Sequence, residues 1–420
     1  MADPEFPRRK IELVLLALIL AVGIFLRITP GAFVSGASFH FLAPIHPQPG
    51  WTKIGFDEGL YREYVNVLSK TGITSYPDIV QGYIDVQKDL PGSILPPLRF
   101  LYIFTAYLCH SIFGSEALAA LHQVASLFSI LTLLLATFLA WRLRGPTWAV
   151  AIAALMAFAP TQLHMSQHAL VDGFFTFWAT LVLWFFWENL QRPGNWRWLV
   201  GYLAALALLV LTKENAFFVW IALVALLIAN RWLEFGTVSR ELVIATVLGP
   251  LLGVVALILL AGGIDIFLRS YQLSVGKNFQ LQYAILTGDG PWYRYLVDLM
   301  LVSPIVLVLA FGSLFRLDRT MKPELFMTIF VAASYLVMCN VKYGMNLRYA
   351  NMWDLPLRFL AFSEIVWLAS IAKRFQTTII TAAVVLLAAI EFHQYVVLAV
   401  RFPLYELITH DLLQALSILK

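Results

Sequence analysis

Charge is the scarcest commodity in this chain. Only 13% of its 420 residues are Asp, Glu, Lys or Arg, about half the roughly 25% of an ordinary soluble domain. A core of this size in water would need far more polar surface to cover it, so a globular aqueous fold is excluded. Cysteine is nearly absent too. Cys109 and Cys339 are the two present, both in apolar stretches, which argues against a disulfide framework or a thiolate zinc site and reads as two small buried hydrophobes. Low-complexity tracts and fixed-period repeats are missing, as are the related halves of many transporters. What is abundant is apolar sequence: 60% of residues are hydrophobic, in long uninterrupted runs rather than amphipathic stripes. Lipid is the solvent that fits.

A membrane-crossing helix needs about 17–25 mostly apolar residues. The runs that qualify are 11–28, 118–141, 147–163, 170–188, 198–212, 215–230, 242–262, 297–315, 324–340, 353–371 and 376–399. Segment 98–113 is ambiguous by length, able to span or to lie along the surface. Cation placement decides it. If 98–113 does not span, alternate loops collect Arg8, Arg9 and Lys10; Arg142 and Arg144; Arg192 and Arg197; Arg231 and Arg240; Arg316, Arg319 and Lys322; and Lys373 and Arg374. All then fall on one face, the cytoplasmic one by the positive-inside rule. The expectation is an all-α polytopic membrane protein of about eleven spans, amino terminus inside and carboxyl terminus outside. Met1 to Phe6, MADPEF, reads as a cloning scar, and the run behind Arg8–Lys10 lacks a cleavage pattern, so it is taken as a retained helix.

Residues 7–420 are expected to form one transmembrane domain. Its outer face carries a first long loop, 29–117, with juxtamembrane helices, and a second at 263–296. Ionisable residues near membrane level default to functional candidates, and an unusual set gathers on that face. Asp57, Glu58 and Tyr61 lie in GFDEGLYREY, either as helix-capping acids or as a reactive carboxylate pair. Asp172, in SQHALVDGFF, either caps the following helix or faces a cavity. His164 and His168, four apart, suit interfacial hydrogen bonding or metal ligation. Lys213 and Glu214 break two short apolar helices as an ion pair or a binding element. Lys88 precedes LPGSILPPL. Arg348 and Tyr349, in NLRYANMWDLP, could grip a phosphate bidentately or snorkel to headgroups.

The order of these pieces resembles the GT-C class of polyprenyl-phosphate-dependent membrane glycosyltransferases, nearest to the protein O-mannosyltransferases and the lipid A aminoarabinose transferase. The matching segments are FDEGLY, the LPPL turn, IFGSEALAALHQVASLFSIL, AFAPTQLHMSQHALVDGFFTFWATL, GYLAALALLVLTKENAFF and LRYANMWDLP, from about residue 11 to 371. The resemblance implies a GT-C fold and a sugar transferase using a polyprenyl-phosphate donor. It makes Asp57 the catalytic carboxylate with Glu58 beside it, and Asp172 the second acidic position. Lys213, Arg348 and, less closely aligned, Lys88 become donor-phosphate ligands. Tyr61, His164, His168, Glu214 and Tyr349 are further cavity candidates. The family's lumenal carbohydrate-binding insert and large carboxyl-terminal domain have no counterpart here, which favours a bacterial or archaeal cell membrane and leaves the acceptor open between protein, glycolipid and polysaccharide. No cofactor is required by this reading, a divalent metal stays open, and nucleic acid is not a partner.

The chemistry agrees with the charges. Attack of an acceptor hydroxyl on the anomeric carbon needs a general base, while the leaving phosphate needs cations in a low-dielectric site. A secondary transporter or lipid flippase would also explain many spans, but predicts charges near the bilayer midplane. A non-catalytic scaffold or polymer-export partner leaves Asp57, Asp172 and Lys213 without a purpose.

Overall fold

The computed structural model describes residues 5–28, 45, 56–402, 404, 406–408 and 410–418, with side chains from Lys10 onward. Most of the expected first outer loop before Phe56 therefore lies outside the described residues, as does most of MADPEF. Within them the chain is helical, with no strand. In order come α1 (Glu5–Arg27), α2 (Phe56–Thr71), α3 (Tyr76–Asp89), α4 (Phe100–Phe113), α5 (Ala117–Arg144), α6 (Pro146–Ala157) and α7 (Pro160–Gln167). Then follow α8 (Val171–Gln191), α9 (Trp196–Thr212), α10 (Ala216–Leu233), α11 (Arg240–Leu260), α12 (Ile264–Asn278) and α13 (Gln282–Thr287). The last are α14 (Arg294–Val302), α15 (Pro304–Leu314), α16 (Lys322–Met338), α17 (Asp354–Ile371), α18 (Gln376–Tyr395) and α19 (His410–Ala415).

Every expected span falls on a helix or a broken pair of helices. Among the described residues four stretches are long and apolar enough to cross a bilayer unaided: Ala117–Arg144, Ala216–Leu233, Arg240–Leu260 and Lys373–Arg401. The α6–α7 pair, bent by 56°, is a fifth. The others are short or interrupted, as at Ser303 between α14 and α15, so length and apolarity alone do not establish a count of eleven. The bundle wears its apolar residues outside: α11 leaves Val247, Leu251 and Leu259 exposed, as a helix facing hydrocarbon must. Its inner face meets α9 through Gly249 and Gly253. A Cβ on Gly253 would sit 2.7 Å from both the Ala207 carbonyl oxygen and Val210 Cβ, so this small-xxx-small pair is what lets the two backbones close up.

The two ends of the bundle differ in chemistry. At one end α5 finishes with Arg142, whose Nε is 2.9 Å from Glu188 near the end of α8. Arg144 pairs with Glu324 at the start of α16, and Lys322 donates to the Glu234 carbonyl after α10 at 2.5 Å. Thr147, opening α6, donates to Glu12 of α1 at 3.0 Å. The cationic loops thus gather at one end, as their alternation requires. The opposite end holds the starts of α5 and α8, the end of α9 and the turn before α17.

Helix α4 belongs to that second end. Its 14 residues reach about 21 Å, short of a roughly 30 Å hydrocarbon layer. Tyr102 and Cys109 both contact the opening turns of α5, at Leu121 and Gln123, so α4 lies across the start of α5 instead of running along it.

The bend between α6 and α7 leaves carbonyls of the last turn of α6 short of helical donors, and Pro160 has no N–H to offer. Two buried arginines make up the loss. Arg27 donates to Met156 O at 2.7 Å and Ala157 O at 3.1 Å, and Arg358 Nε donates to Leu155 O at 3.1 Å. Cations at a helix carboxyl end also complement its dipole. Arg358 is itself paired with Asp354 at 2.7 Å and Glu391 at 2.5 Å. A polar network inside the bundle thereby holds α7, and with it the loop that carries His168, at a fixed height.

Candidate active site

Four chain segments converge at the end opposite the cationic loops. Asp57 and Glu58 stand in the first turn of α2, and Asp172 in the first turn of α8. Lys213 is the extended residue at which α9 stops. Arg348 lies in the 3-10 turn Leu347–Trp353, whose entry is fixed by the Asn346 side chain accepting from the Arg348 N–H at 3.0 Å.

Arg348 is the hub. Its Nη2 is 3.0 Å from Asp57 Oδ2, its Nε is 3.8 Å from Asp172 Oδ2, and its Nη1 is 3.6 Å from Glu406 Oε1. Lys213 Nζ donates to the other oxygen of Asp172 at 2.5 Å. The Tyr349 ring serves both cations, 3.8 Å from Lys213 Nζ and 5.6 Å from Arg348 Cζ. Arg348 and Lys213 are both buried, yet Nε and Nη1 of Arg348 have no hydrogen-bond partner among the described residues. Burial drives the Lys213 ammonium down to about 8 against the opposing pull of Asp172, so it keeps its proton at neutral pH by a narrow margin. Burial also acts to lower Arg348, but Glu406, Asp57 and Asp172 outweigh it and keep the guanidinium firmly charged.

The neighbouring residues form a supporting layer. Glu58 has a different set of partners from Asp57: its Oε1 accepts from the Ala169 N–H at 2.7 Å and lies 3.5 Å from His168 Nδ1. Burial pushes its carboxyl up, but the hydrogen bond and charge of His168 prevail and hold it at about 2. Glu58 thus clasps the extended loop leading into Asp172. His164 and His168 lie ring to ring at 4.4 Å. Glu214 turns away from Lys213 to Arg99, which it takes in two contacts of 3.2 and 2.5 Å, while Arg99 Nη1 donates to the Tyr61 hydroxyl at 2.7 Å.

Of the residues singled out in the sequence, Asp57, Asp172, Lys213, Arg348 and Tyr349 come together, and Glu58, Tyr61, His164, His168 and Glu214 surround them. Lys88 does not join. It sits near the end of α3, half exposed, in a local pair with Asp85 at 2.7 Å. Among the described residues no three His, Cys, Asp or Glu side chains cluster as metal ligands. Two participants went unmarked in the sequence. Arg99 follows the LPPL turn directly, a position that could have drawn notice. Glu406 lies past the final apolar run, where spacing gives no hint that the chain returns; Tyr283 donates to it at 2.6 Å.

Residues 110–275 match the family model of dolichyl-phosphate-mannose-protein mannosyltransferase. That stretch carries His164, His168, Asp172, Lys213 and Glu214. No curated protein matches the chain by sequence. Among solved structures, ArnT from Cupriavidus metallidurans in the apo state superposes with a TM-score of 0.54 at 16% identity, over 97% of this chain and 77% of that one. The same protein bound to undecaprenyl phosphate gives 0.53 at 16%, over 97% and 74%. The archaeal oligosaccharyltransferase AglB from Archaeoglobus fulgidus, in complex with an inhibitory peptide and a dolichol-phosphate, gives 0.57 at 14%, over 95% of this chain but only 56% of its own length.

The fold is that of the GT-C glycosyltransferases. Together with the family match it indicates a membrane glycosyltransferase. The cluster around Arg348 combines carboxylates able to take a proton with buried cations able to bind an anion.

Proposed function

We propose that the chain transfers a sugar from a polyprenyl-monophosphate donor to an acceptor hydroxyl on the non-cytoplasmic face, with inversion at the anomeric carbon. The observation that carries this reading is Arg348: a buried, charged guanidinium whose Nε and Nη1 make no hydrogen bond among the described residues, beside a second buried cation, Lys213. Buried donors without partners are costly, and a phosphate would meet both groups with charge-assisted bonds. The undecaprenyl phosphate and dolichol-phosphate bound by ArnT and AglB support that ligand class.

In this reading the lipid phosphate enters against Arg348 and Lys213 and draws the guanidinium from Asp57. Asp57, released from its ion pair, accepts the proton of the incoming hydroxyl as the new glycosidic bond forms. The bond between the anomeric carbon and the phosphate oxygen breaks, and the electron pair stays on the phosphate, stabilised by the two cations. Asp172 keeps Lys213 and Arg348 side by side. Glu58 acts at one remove, fixing the backbone at Ala169. The convergence of Asp57, Asp172, Lys213 and Arg348 at one end of the bundle suits an interfacial enzyme better than a transporter or flippase.

Purified protein tests the reading directly. It should bind a polyprenyl monophosphate more tightly than the matching alcohol; equal affinity sinks the proposal. Sidedness is tested by labelling single cysteines at 57 and 172 with an impermeant reagent on intact cells, where both positions should react if the site faces outward.

A further inference from the structure

The Asp57–Arg348 cluster is not the whole polar interior of this end. Beside it runs a narrow cavity lined by Thr161, Arg294, Asp298, Asn346, Arg348 and Glu406, among others. Asp298 is fully buried, and neither of its carboxylate oxygens has a hydrogen-bond partner among the described residues. Its companion on the same helix face, Arg294, is 2% exposed and leaves Nε unpartnered, 3.7 Å from Asp298 Oδ2. A carboxyl group out of water with neither oxygen hydrogen-bonded departs from the rule for protein interiors.

We propose that this cavity is the subsite for a hydroxyl of the transferred sugar ring, with Asp298 accepting the hydroxyl hydrogen and Arg294 donating to its oxygen. The proposal rests on the transfer reading above and adds to it where the ring sits. Three observations choose the ligand. The cavity holds about 10 Å³, room for one water-sized group, which suits a single hydroxyl and not a headgroup. Its lining is electrically balanced, Arg294 and Arg348 against Asp298 and Glu406, so a neutral group is favoured over an ion. Arg348 lines it while Asp57 does not, which sets it beside the phosphate-binding cation and away from the base that meets the acceptor, next to the bound donor.

The test separates the sugar from the phosphate. Binding of three probes is measured on the purified full chain: polyprenyl monophosphate, and the same lipid carrying a mannosyl or a glucosyl group on the phosphate. The native protein should bind at least one glycosylated lipid more tightly than the bare phosphate. Asp298→Asn should cut that advantage about tenfold, the size of one charge-assisted hydrogen bond, with bare-phosphate affinity unchanged. Thr161→Val, on another wall and close to isosteric, should reduce it by a smaller factor, and serves if Asp298→Asn does not fold. No advantage for either glycosylated lipid in the native protein, an advantage untouched by both variants, or an equal loss for all three probes overturns the subsite. Failure of the native protein to prefer phosphate over alcohol is a different result and overturns the donor assignment itself.

Discussion

Lys213 and Asp172 meet at 2.5 Å with both side chains out of water, and the Tyr349 ring lies 3.8 Å from the same ammonium. Neither partner is free to rotate toward solvent, so the pair is a fixed element of the site. It joins the end of α9 to the start of α8, two helices whose connection runs at the far, cationic end.

That pair makes donor binding depend on pH. Burial lowers Lys213 to about 8, Asp172 pulling the other way. The ammonium is therefore intact below pH 8 and lost as the pH rises through it. Losing one charge-assisted contact costs about 1.5–3 kcal/mol, so affinity for a polyprenyl phosphate should fall by up to about tenfold between pH 7 and 9, the limit set by loss of the ammonium over that range. Lys213→Arg, always charged, should flatten the profile. A native profile that is already flat over that range would remove Lys213 from the phosphate site.

Arg348 and Glu406 should respond with opposite signs. Arg348→Ala should weaken polyprenyl-phosphate binding by about 1.5–3 kcal/mol. Glu406→Gln removes an anion 3.6 Å from the guanidinium and should tighten binding by a few-fold. Competition with a fluorescent polyprenyl phosphate measures both. Weaker binding in Glu406→Gln would show that Glu406 builds the site instead of competing for it.

Much of this was legible in the sequence, for identifiable reasons. Spans and their alternation are encoded in apolar length and in the position of arginines, which act over whole helices. Asp57, Asp172, Lys213 and Arg348 stood out because a charge at membrane level is anomalous wherever it occurs. What could not be read is pairing. Glu214 follows Lys213 in sequence, yet an extended backbone at Lys213 sends the two side chains to different partners, Asp172 and Arg99. Glu58 follows Asp57, yet one helical step separates a residue facing Arg348 from one clasping Ala169. Lys88 looked equivalent to the other cations, but the turn of α3 directs it to Asp85. Glu406 depends on the chain folding back after α18, which no local pattern announces. The short helices α9 and α15 likewise blur a count made from length alone.

The buried arginines should prove structural. Arg358 is 1% exposed and holds Asp354, Glu391 and the Leu155 carbonyl together. Arg358→Ala leaves two buried carboxylates without their cation, held only by Gln162 and Ser303, and breaking a buried pair in this way costs about 3–5 kcal/mol. Thermal unfolding in detergent should show a large fall in Tm. A protein that retains its native Tm would mean that water enters the α6–α7 bend and takes over those groups.

Asp57→Asn tests the chemistry itself. The substitution keeps the shape and much of the hydrogen bonding of the side chain, but removes its charge and its capacity to accept a proton. If Asp57 is the general base, sugar transfer should fall by about 10²–10⁴-fold. Donor binding should survive or strengthen, because Arg348 no longer has a carboxylate at 3.0 Å competing with the phosphate. If Asp57 only caps α2, Asn should serve nearly as well as Asp, and transfer should stay near its native rate. A third outcome has its own signature: if Asp57 chiefly holds Arg348 in place, binding and transfer should decline together. Measuring both on one preparation distinguishes these cases, because only a general base predicts a severe loss of turnover in a protein that still holds its donor.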